Sequence, residues 1–304
     1  MTPDLKRGLS LRRQMIDERL RRLVPRALPG QTQLDEAIAA SVLAPGKRLR
    51  PMMTAMIATD LGGDVATAID AGCAIEMVHA ASLTLDDLPS MDDATLRRGR
   101  PAVHAAYGED VAVLAAIAAL SGAFETLAKL SGASDVVRAQ CVVILTRAVG
   151  VAGLVAGQFA DLRDGAHARD VTDIATTNSL KTGSLFSAAV EIGAVVAGAD
   201  QAARLKLRSF AAELGHAFQL LDDLLDNDTH EGLTGKDVGK DVGKSTIGSV
   251  IGSDSVVDRI RAHVAEAHRT LDQVVGPESL MHGCVDLIFE QALPAADPLL
   301  ASQA

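Results

Sequence analysis

The chain has 304 residues, 48% of them hydrophobic, with 29 Lys plus Arg against 39 Asp plus Glu and a formal net charge of -10. Such a chain buries an ample core, and its acidic balance argues against a nucleic-acid surface, since phosphate backbones demand a basic face. The cysteines Cys73, Cys141 and Cys284 are odd in number, far apart and without a CxxC, so they imply no zinc site and point to a reducing, cytoplasmic setting.

Apolar residues recur at helical rather than strand period, and nothing in the middle reads as a linker, so the pattern predicts one all-α domain over residues 1–304. The first helix is predicted over Asp4–Val24. Its arginines resemble those of a transit peptide, but Asp17 and Glu18 interrupt them and no cleavage site is evident. A second helix runs from Leu34 to Leu43 and stops at Pro45 and Gly46. APGKRLRPMM then opens a third, with Pro51 suited to its first turn. Lys47 and Arg50 stand three apart there, either converging on one anion or forming a solvated basic turn.

Val65–Leu88 is long, apolar and free of proline until Pro89, which predicts a buried helix. It ends in Asp86 and Asp87, where the helix dipole disfavours anions, so a cation or an arginine must compensate. His79, two turns before Asp86, either faces the same cavity or is a satisfied core histidine. The surrounding stretch, SLTLDDLPSMDDATLRRGRP (Ser82–Pro101), adds Asp92 and Asp93 and then Arg97 and Arg98.

Helices are next predicted over Glu109–Leu130 and Asp135–Leu162, the latter with Gln158 and Asp161 at i, i+3. The longest strongly apolar run, Val111–Leu120, is too short to span a bilayer, and no membrane anchor is predicted. Val171–Val196 is helical with a break at KTGSLF, around Lys181, Thr182 and Gly183. Ala202–Asp226 carries the second acidic run, FQLLDDLLDND, in which Asp222 and Asp226 share one helix face beside Asp223. A glycine-rich loop, Gly232–Thr246, bears Lys236, Lys240 and Lys244. Two helices, Val256–Val275 and Glu278–Ala292, close the chain, and no strand pattern appears.

Adjacent carboxylates on one face repel unless cations neutralise them, and hard oxygen ligands of this kind suit Mg²⁺. Two other phosphate or metal readings fail on spacing. The glycine loop lacks the Walker pattern because position 238 is Val, and an EF-hand loop beginning at Asp226 would need Gly where Glu231 stands.

Taken together, GKRLRP, DDLPSMDD, RRG, KTG, FQLLDDLLD and TGKD resemble the trans-polyprenyl diphosphate synthases, most closely the bacterial geranylgeranyl diphosphate synthases of the carotenoid pathway. The resemblance runs from Gly46 to the GKST at Gly243, and the two-residue insert in the first DDxxD marks a subset of that family. It implies an isoprenoid-synthase-type helical bundle around a deep central cavity, Mg²⁺ as cofactor, and a homodimer. The implied reaction joins isopentenyl diphosphate to an allylic diphosphate through an allylic cation.

By that resemblance Asp86, Asp92 and Asp222 bind Mg²⁺, while Asp87, Asp161 and Asp226 act behind them or through water. Arg97, Lys181 and Lys236 take the allylic diphosphate and Lys244 closes over it. Lys47, Arg50, His79 and Arg98 take isopentenyl diphosphate. Thr182 and Gln219 lie beside the cation, and the departing pyrophosphate accepts the proton. Chain length is expected to be set about 7.5 Å below Asp86, at Ala81 and Ser82, with Met77 and Val78 one turn deeper. Shorter-product members often carry an aromatic residue at that level, so Ala81 favours geranylgeranyl over farnesyl diphosphate. One departure stands out: Ala116, Ile117 and Ala118 replace a Gly-Asp common in the family, with an expected effect on local packing.

Three other readings stay open at this level. A farnesyl diphosphate synthase differs only in product length. A terpene cyclase also ionises diphosphates, but needs aromatic walls for moving cations, and this chain has no Trp, one Tyr and six Phe. A non-catalytic synthase subunit would not need both aspartate runs and every basic residue of the set.

Overall fold

The computed structural model of the chain describes residues 3–164, 171–227 and 253–290, with the side chains of Asp223 and Asp226 outside that description. Helix α1 (Pro3–Leu23) turns Leu9, Ile16 and Leu20 inward at helical spacing. Helices α2 (Thr32–Val42) and α3 (Leu49–Asp60) follow. Helix α4 (Val65–Asp86) starts at Asp64, whose carboxylate accepts the Thr67 amide at 2.7 Å and so caps the first turn. A helix without a polar face belongs at the centre of a bundle. Accordingly, every residue of α4 from Thr67 to Val78 is buried.

Beyond α4 the chain forms a two-stranded ribbon, β1 (Leu96–Arg97) against β2 (Arg100–Pro101), with Arg97 opposite Arg100. Helices α5 (Val103–Tyr107), α6 (Glu109–Ala128), α7 (Asp135–Val149), α8 (Leu154–Asp164) and α9 (Val171–Asn178) come next. A five-residue π turn (Ser179–Gly183) leads into α10 (Ser184–Val196) and α11 (Gln201–Asn227). Helices α12 (Ser253–Val275) and α13 (Leu280–Glu290) complete the described chain.

Helices α3, α6 and α10 pack around α4, and α10 also packs on α11, which lies along α12. Helix α10 therefore touches both helices that carry the acidic runs. Bare glycine backbone draws α3 close to two of its neighbours. A Cβ at Gly72 would fall 2.7 Å from the Pro51 Cα, and one at Gly193 would fall 2.6 Å from the Thr54 carbonyl oxygen.

Three sequence expectations are corrected. The helix predicted over Asp135–Leu162 is two helices, parted at Gly150–Gly153: Gly150 is extended, and a Cβ at Gly153 would sit 2.2 Å from the Ala148 carbonyl oxygen. A strand pair exists where none was predicted, because two-residue strands are too short to show a period. The apolar stretch around Val111–Leu120 is also longer than it reads. By length and composition alone, Val65–Asp86, Glu109–Ala128, Asp135–Arg163 and Thr172–Val196 are each long and apolar enough to cross a membrane. The bundle treats them differently: the α4 stretch is 78% buried, whereas those of α6 and of α7 with α8 are 33% and 22% buried. At the departure noted above, α6 runs on unbroken, with Ala116 buried and Ile117 53% exposed.

Candidate active site

The first acidic run closes on itself. After α4 ends at Asp86, the Asp92 amide donates to the Asp86 carbonyl at 2.9 Å and the Ala94 amide to the Asp87 carbonyl at 3.1 Å. The residues inserted between the two aspartate pairs thus form a loop whose return stitches the second pair to the first. Asp87 is 2% exposed and accepts the Arg97 Nε at 2.9 Å and its Nη2 as well. Burial opposes the charge on Arg97, yet the bond to Asp87 holds its guanidinium above the ordinary value. For Asp86 burial dominates: it pushes the carboxyl up to about 6, opposed by Lys181 and Arg97 and reinforced by Asp92 and Asp87.

The RRG that follows makes the turn of the ribbon. Arg98 and Gly99 both have positive φ, 53° and 71°, as the two-residue turn that matches strand twist requires. Arg98 is carried back to the start of α3, where its Nη1 donates to the Pro45 carbonyl at 2.9 Å. Gly46 makes room, since a Cβ there would lie 2.8 Å from that same nitrogen.

At the head of α3, Arg48 is buried in a left-handed conformation, φ 53°, and each of its three guanidinium nitrogens donates inside the protein. Its Nε reaches Asp17, its Nη1 reaches Glu76 and its Nη2 reaches the Ala44 carbonyl, each at 2.8 Å. Arg50 differs. Its guanidinium stands 4.8 Å over the Phe186 ring, and its buried Nε finds no partner among the described residues. Burial lowers the Arg50 pKa to about 10, with Glu76 and Asp222 opposing and Arg98 assisting. His79 faces the same cluster: burial first, then Arg50, Arg98, Arg97 and Arg48, hold its imidazole well below the usual range, so it is neutral. Lys47 is exposed at the rim. A cavity of about 240 Å³ is lined by Arg48, Glu76, His79, Asp87, Arg97 and Arg98, with Ala40 of α2, Leu83 of α4 and Val103 and Ala106 of α5 on its apolar side.

The second wall is built from the π turn, α8 and α11. Lys181 and Thr182 sit in the π turn, where the helical ladder is interrupted. Lys181 Nζ donates to Asp161 of α8 at 2.7 Å. That approach needs Gly157, whose Cβ would fall 2.2 Å from the Lys181 nitrogen. Gly215 of α11 faces Gly183 less tightly, a Cβ there falling 3.3 Å from the Gly183 Cα, and Gln219 follows one turn further along α11. Asp222 is partly buried and acts electrostatically on Arg50, while Lys181 acts on Asp86. Each wall therefore senses a charge associated with the other.

Deeper along α4, Met77, Val78 and Ala81 are buried, and Ser82 turns its hydroxyl onto the His79 carbonyl at 2.9 Å. Three sequence-assigned residues, Lys236, Lys244 and the Asp226 side chain, lie outside the described residues. Sequence reading missed the Asp17–Arg48–Glu76 network and the Phe186 ring under Arg50. A buried acid three residues before His79 in an apolar helix was the available signal for Glu76.

The donor set fits a divalent cation shared with a substrate rather than caged by protein. Among the described residues no group of three or more His, Cys, Asp or Glu is gathered to hold an ion alone. What exists is a raised carboxyl at Asp86 beside Asp92, a cluster that either a proton or a cation relieves. Mg²⁺ bound through one or two carboxylates, waters and phosphate oxygens matches that arrangement.

Known proteins resemble this chain in sequence and in fold. A family model described as polyprenyl synthetase matches residues 31–261. The geranylgeranyl diphosphate synthase of Pantoea ananas is 46% identical over 280 residues, covering 91% of this chain and 89% of that protein. The farnesyl diphosphate synthase of Geobacillus stearothermophilus is 38% identical over 232 residues, 76% of this chain and 78% of that one. Among solved structures, a geranyltransferase from Helicobacter pylori, complexed with magnesium and isoprenyl diphosphate, superposes with a TM-score of 0.85 at 25% identity, covering 96% of this chain and 98% of that chain. Motifs, helical architecture and relatives converge, and the chain belongs to the polyprenyl synthetase family.

Proposed function

We propose that this protein condenses isopentenyl diphosphate head to tail with an allylic diphosphate in a Mg²⁺-dependent reaction whose product is geranylgeranyl diphosphate. The observation that carries the reading is the pairing of two carboxylate walls with a cationic cluster in which a buried Arg50 donor has no partner among the described residues. A diphosphate supplies the missing acceptor. Bound Mg²⁺ would be held by Asp86, Asp92 and Asp222 and would neutralise the allylic diphosphate as it leaves.

The chain's own groups divide the remaining work. Arg98, Arg50 and Lys47 bind the isopentenyl diphosphate, with neutral His79 as a hydrogen-bonding partner that adds no charge. Arg97 and Lys181, held in place by Asp87 and Asp161, address the allylic diphosphate. Groups so oriented stabilise charge without reorganising during the reaction. The interrupted ladder at Lys181–Thr182 frees backbone oxygen to face the allylic cation beside Gln219. Pyrophosphate, once released, takes the proton, so no protein base is needed.

Ala81 supports the longer product, because an alanine at the floor leaves room for a tail beyond farnesyl. Three buried, unpaired cysteines support a reducing cytoplasmic setting. The outward residues Leu114, Ile117, Val143 and Phe159, 46–63% exposed on α6, α7 and α8, support burial of that face in a homodimer. Purified protein given isopentenyl diphosphate and each allylic primer, with and without Mg²⁺, tests the reading. A C20 product formed only with Mg²⁺ is expected. Absence of turnover with every primer would reject condensation, and a C15 end product would reassign the chain length.

A further inference from the structure

We propose that the outward face of α1 docks the protein on the surface of an anionic phospholipid bilayer. The charge of the chain is unevenly placed. Helix α1 holds seven of the chain's 29 basic residues but three of its 39 acidic ones, a local surplus of positive charge in a molecule of formal net charge -10. Part of that surplus is consumed by the fold: Arg19 pairs with Asp70, and burial lowers the pKa of Arg12, with Asp60 opposing. The rest faces outward. Lys6, Arg7, Arg13, Arg21 and Arg22 are exposed, and none of them forms an ion pair among the described residues.

Two apolar side chains lie on the side of Arg7 and Arg22, while Lys6 and Arg13 flank the helix nearer its buried edge. Leu11 is 58% exposed and Met15 43%, and with Arg7 and Arg22 they fall along one stripe at i, i+4, i+8 and i+15, opposite buried Leu9, Ile16 and Leu20; the one exposed acid on that stripe among the described side chains, Glu18, accepts from Gln14 Nε2 at 3.3 Å. Leu28, just past the helix, is 71% exposed. A helix with basic residues around outward apolar ones has the makeup of an element that lies in a membrane interface, its cations on the headgroups and its apolar tips at the acyl boundary. Nucleic acid would satisfy the arginines but not Leu11 and Met15. The acidic remainder of the chain is repelled by an anionic surface, which favours approach with α1 leading. The docking does not depend on the proposed reaction, although a long-chain prenyl diphosphate formed there would pass directly into lipid.

Co-sedimentation of the full chain with vesicles tests this at about 0.1 M salt, where exposed charges still act at close range. Vesicles of phosphatidylcholine with phosphatidylglycerol are compared with phosphatidylcholine alone. Binding is expected to the anionic vesicles only, weakened about tenfold or more in Arg7→Glu/Arg21→Glu/Arg22→Glu. Turnover in vesicle-free solution should be unchanged. Neutralisation to Gln at the same positions keeps the test decisive if charge reversal impairs folding. No vesicle binding, equal binding to neutral vesicles, a variant that binds as before, or retention on RNA without vesicle binding would each overturn the proposal.

Discussion

The two acidic walls hold their charges by different means. In the first, partners lie close in sequence: Arg97 reaches Asp87 ten residues back, and the loop between the aspartate pairs is closed by its own backbone. In the second, Lys181 is held by Asp161 on another helix, and the charge that Asp222 acts on belongs to α3. A wall built from local contacts is set by its own segment. One built from distant contacts depends on how three helices are packed, and its geometry is correspondingly exposed to remote substitutions.

Removing one carboxylate from either wall is the harshest test of that comparison. Asp86→Asn and Asp222→Asn are each expected to lower kcat by about 10³-fold with the fold intact, since each takes away charge stabilisation of the leaving diphosphate. Steady-state kinetics with circular dichroism as a control would show it. If only one of the two variants loses activity, the walls do not act on a shared substrate.

The buried network behind the cationic cluster should register in stability. Glu76→Leu leaves Arg48 partly unpaired at a fully buried position and is expected to cost about 3–5 kcal/mol in denaturant unfolding. The double variant Arg48→Met/Glu76→Leu removes both charges and should recover much of that loss. An equal loss in both variants would mean that packing, not charge pairing, is what the network supplies.

A smaller effect concerns pH in the metal-free protein. The folded-state pKa of Asp86, about 6, lies above its ordinary value of 3.8, so between these the folded state binds more protons than the unfolded one. Stability therefore falls as pH rises from about 4 to about 6. Asp86→Asn should be more stable than the parent chain above that window, by about 1–2 kcal/mol, and should match it near pH 4. Thermal unfolding across the range, without divalent metal, provides the measurement.

The mildest expected change is in product rather than rate. Ala81→Phe should shorten the principal product by one isoprene unit, visible by chromatography of the dephosphorylated prenols. An unchanged product would remove Ala81 from the floor.

Legibility in the sequence followed the same division as the walls. Helices α1, α4, α6 and α11 were readable because their apolar residues repeat over several turns, and the first acidic loop was readable because its parts are contiguous. The break between α7 and α8 was not, since Gly150 and Gly153 sit in an otherwise apolar run and a glycine alone does not end a helix. Arg48 and Arg50 look alike on the page, two positions apart in one basic motif. Only packing separates them, sending Arg48 to Asp17 and Glu76 and leaving Arg50 over Phe186. Phe186 itself stood in the KTGSLF segment with no sign of what it would face.

One surplus residue between Val171 and Val196 has an effect beyond its size. Each residue rotates an α-helix by 100°, so the wider π turn at Ser179–Gly183 offsets the side chains above it from those below. Deleting a single residue there would let the rod heal into regular α-helix while swinging Lys181 out of register with Asp161. The chain would gain local regularity and lose the alignment that joins Lys181 to Asp161, so an irregular turn of five residues fixes how two helices meet.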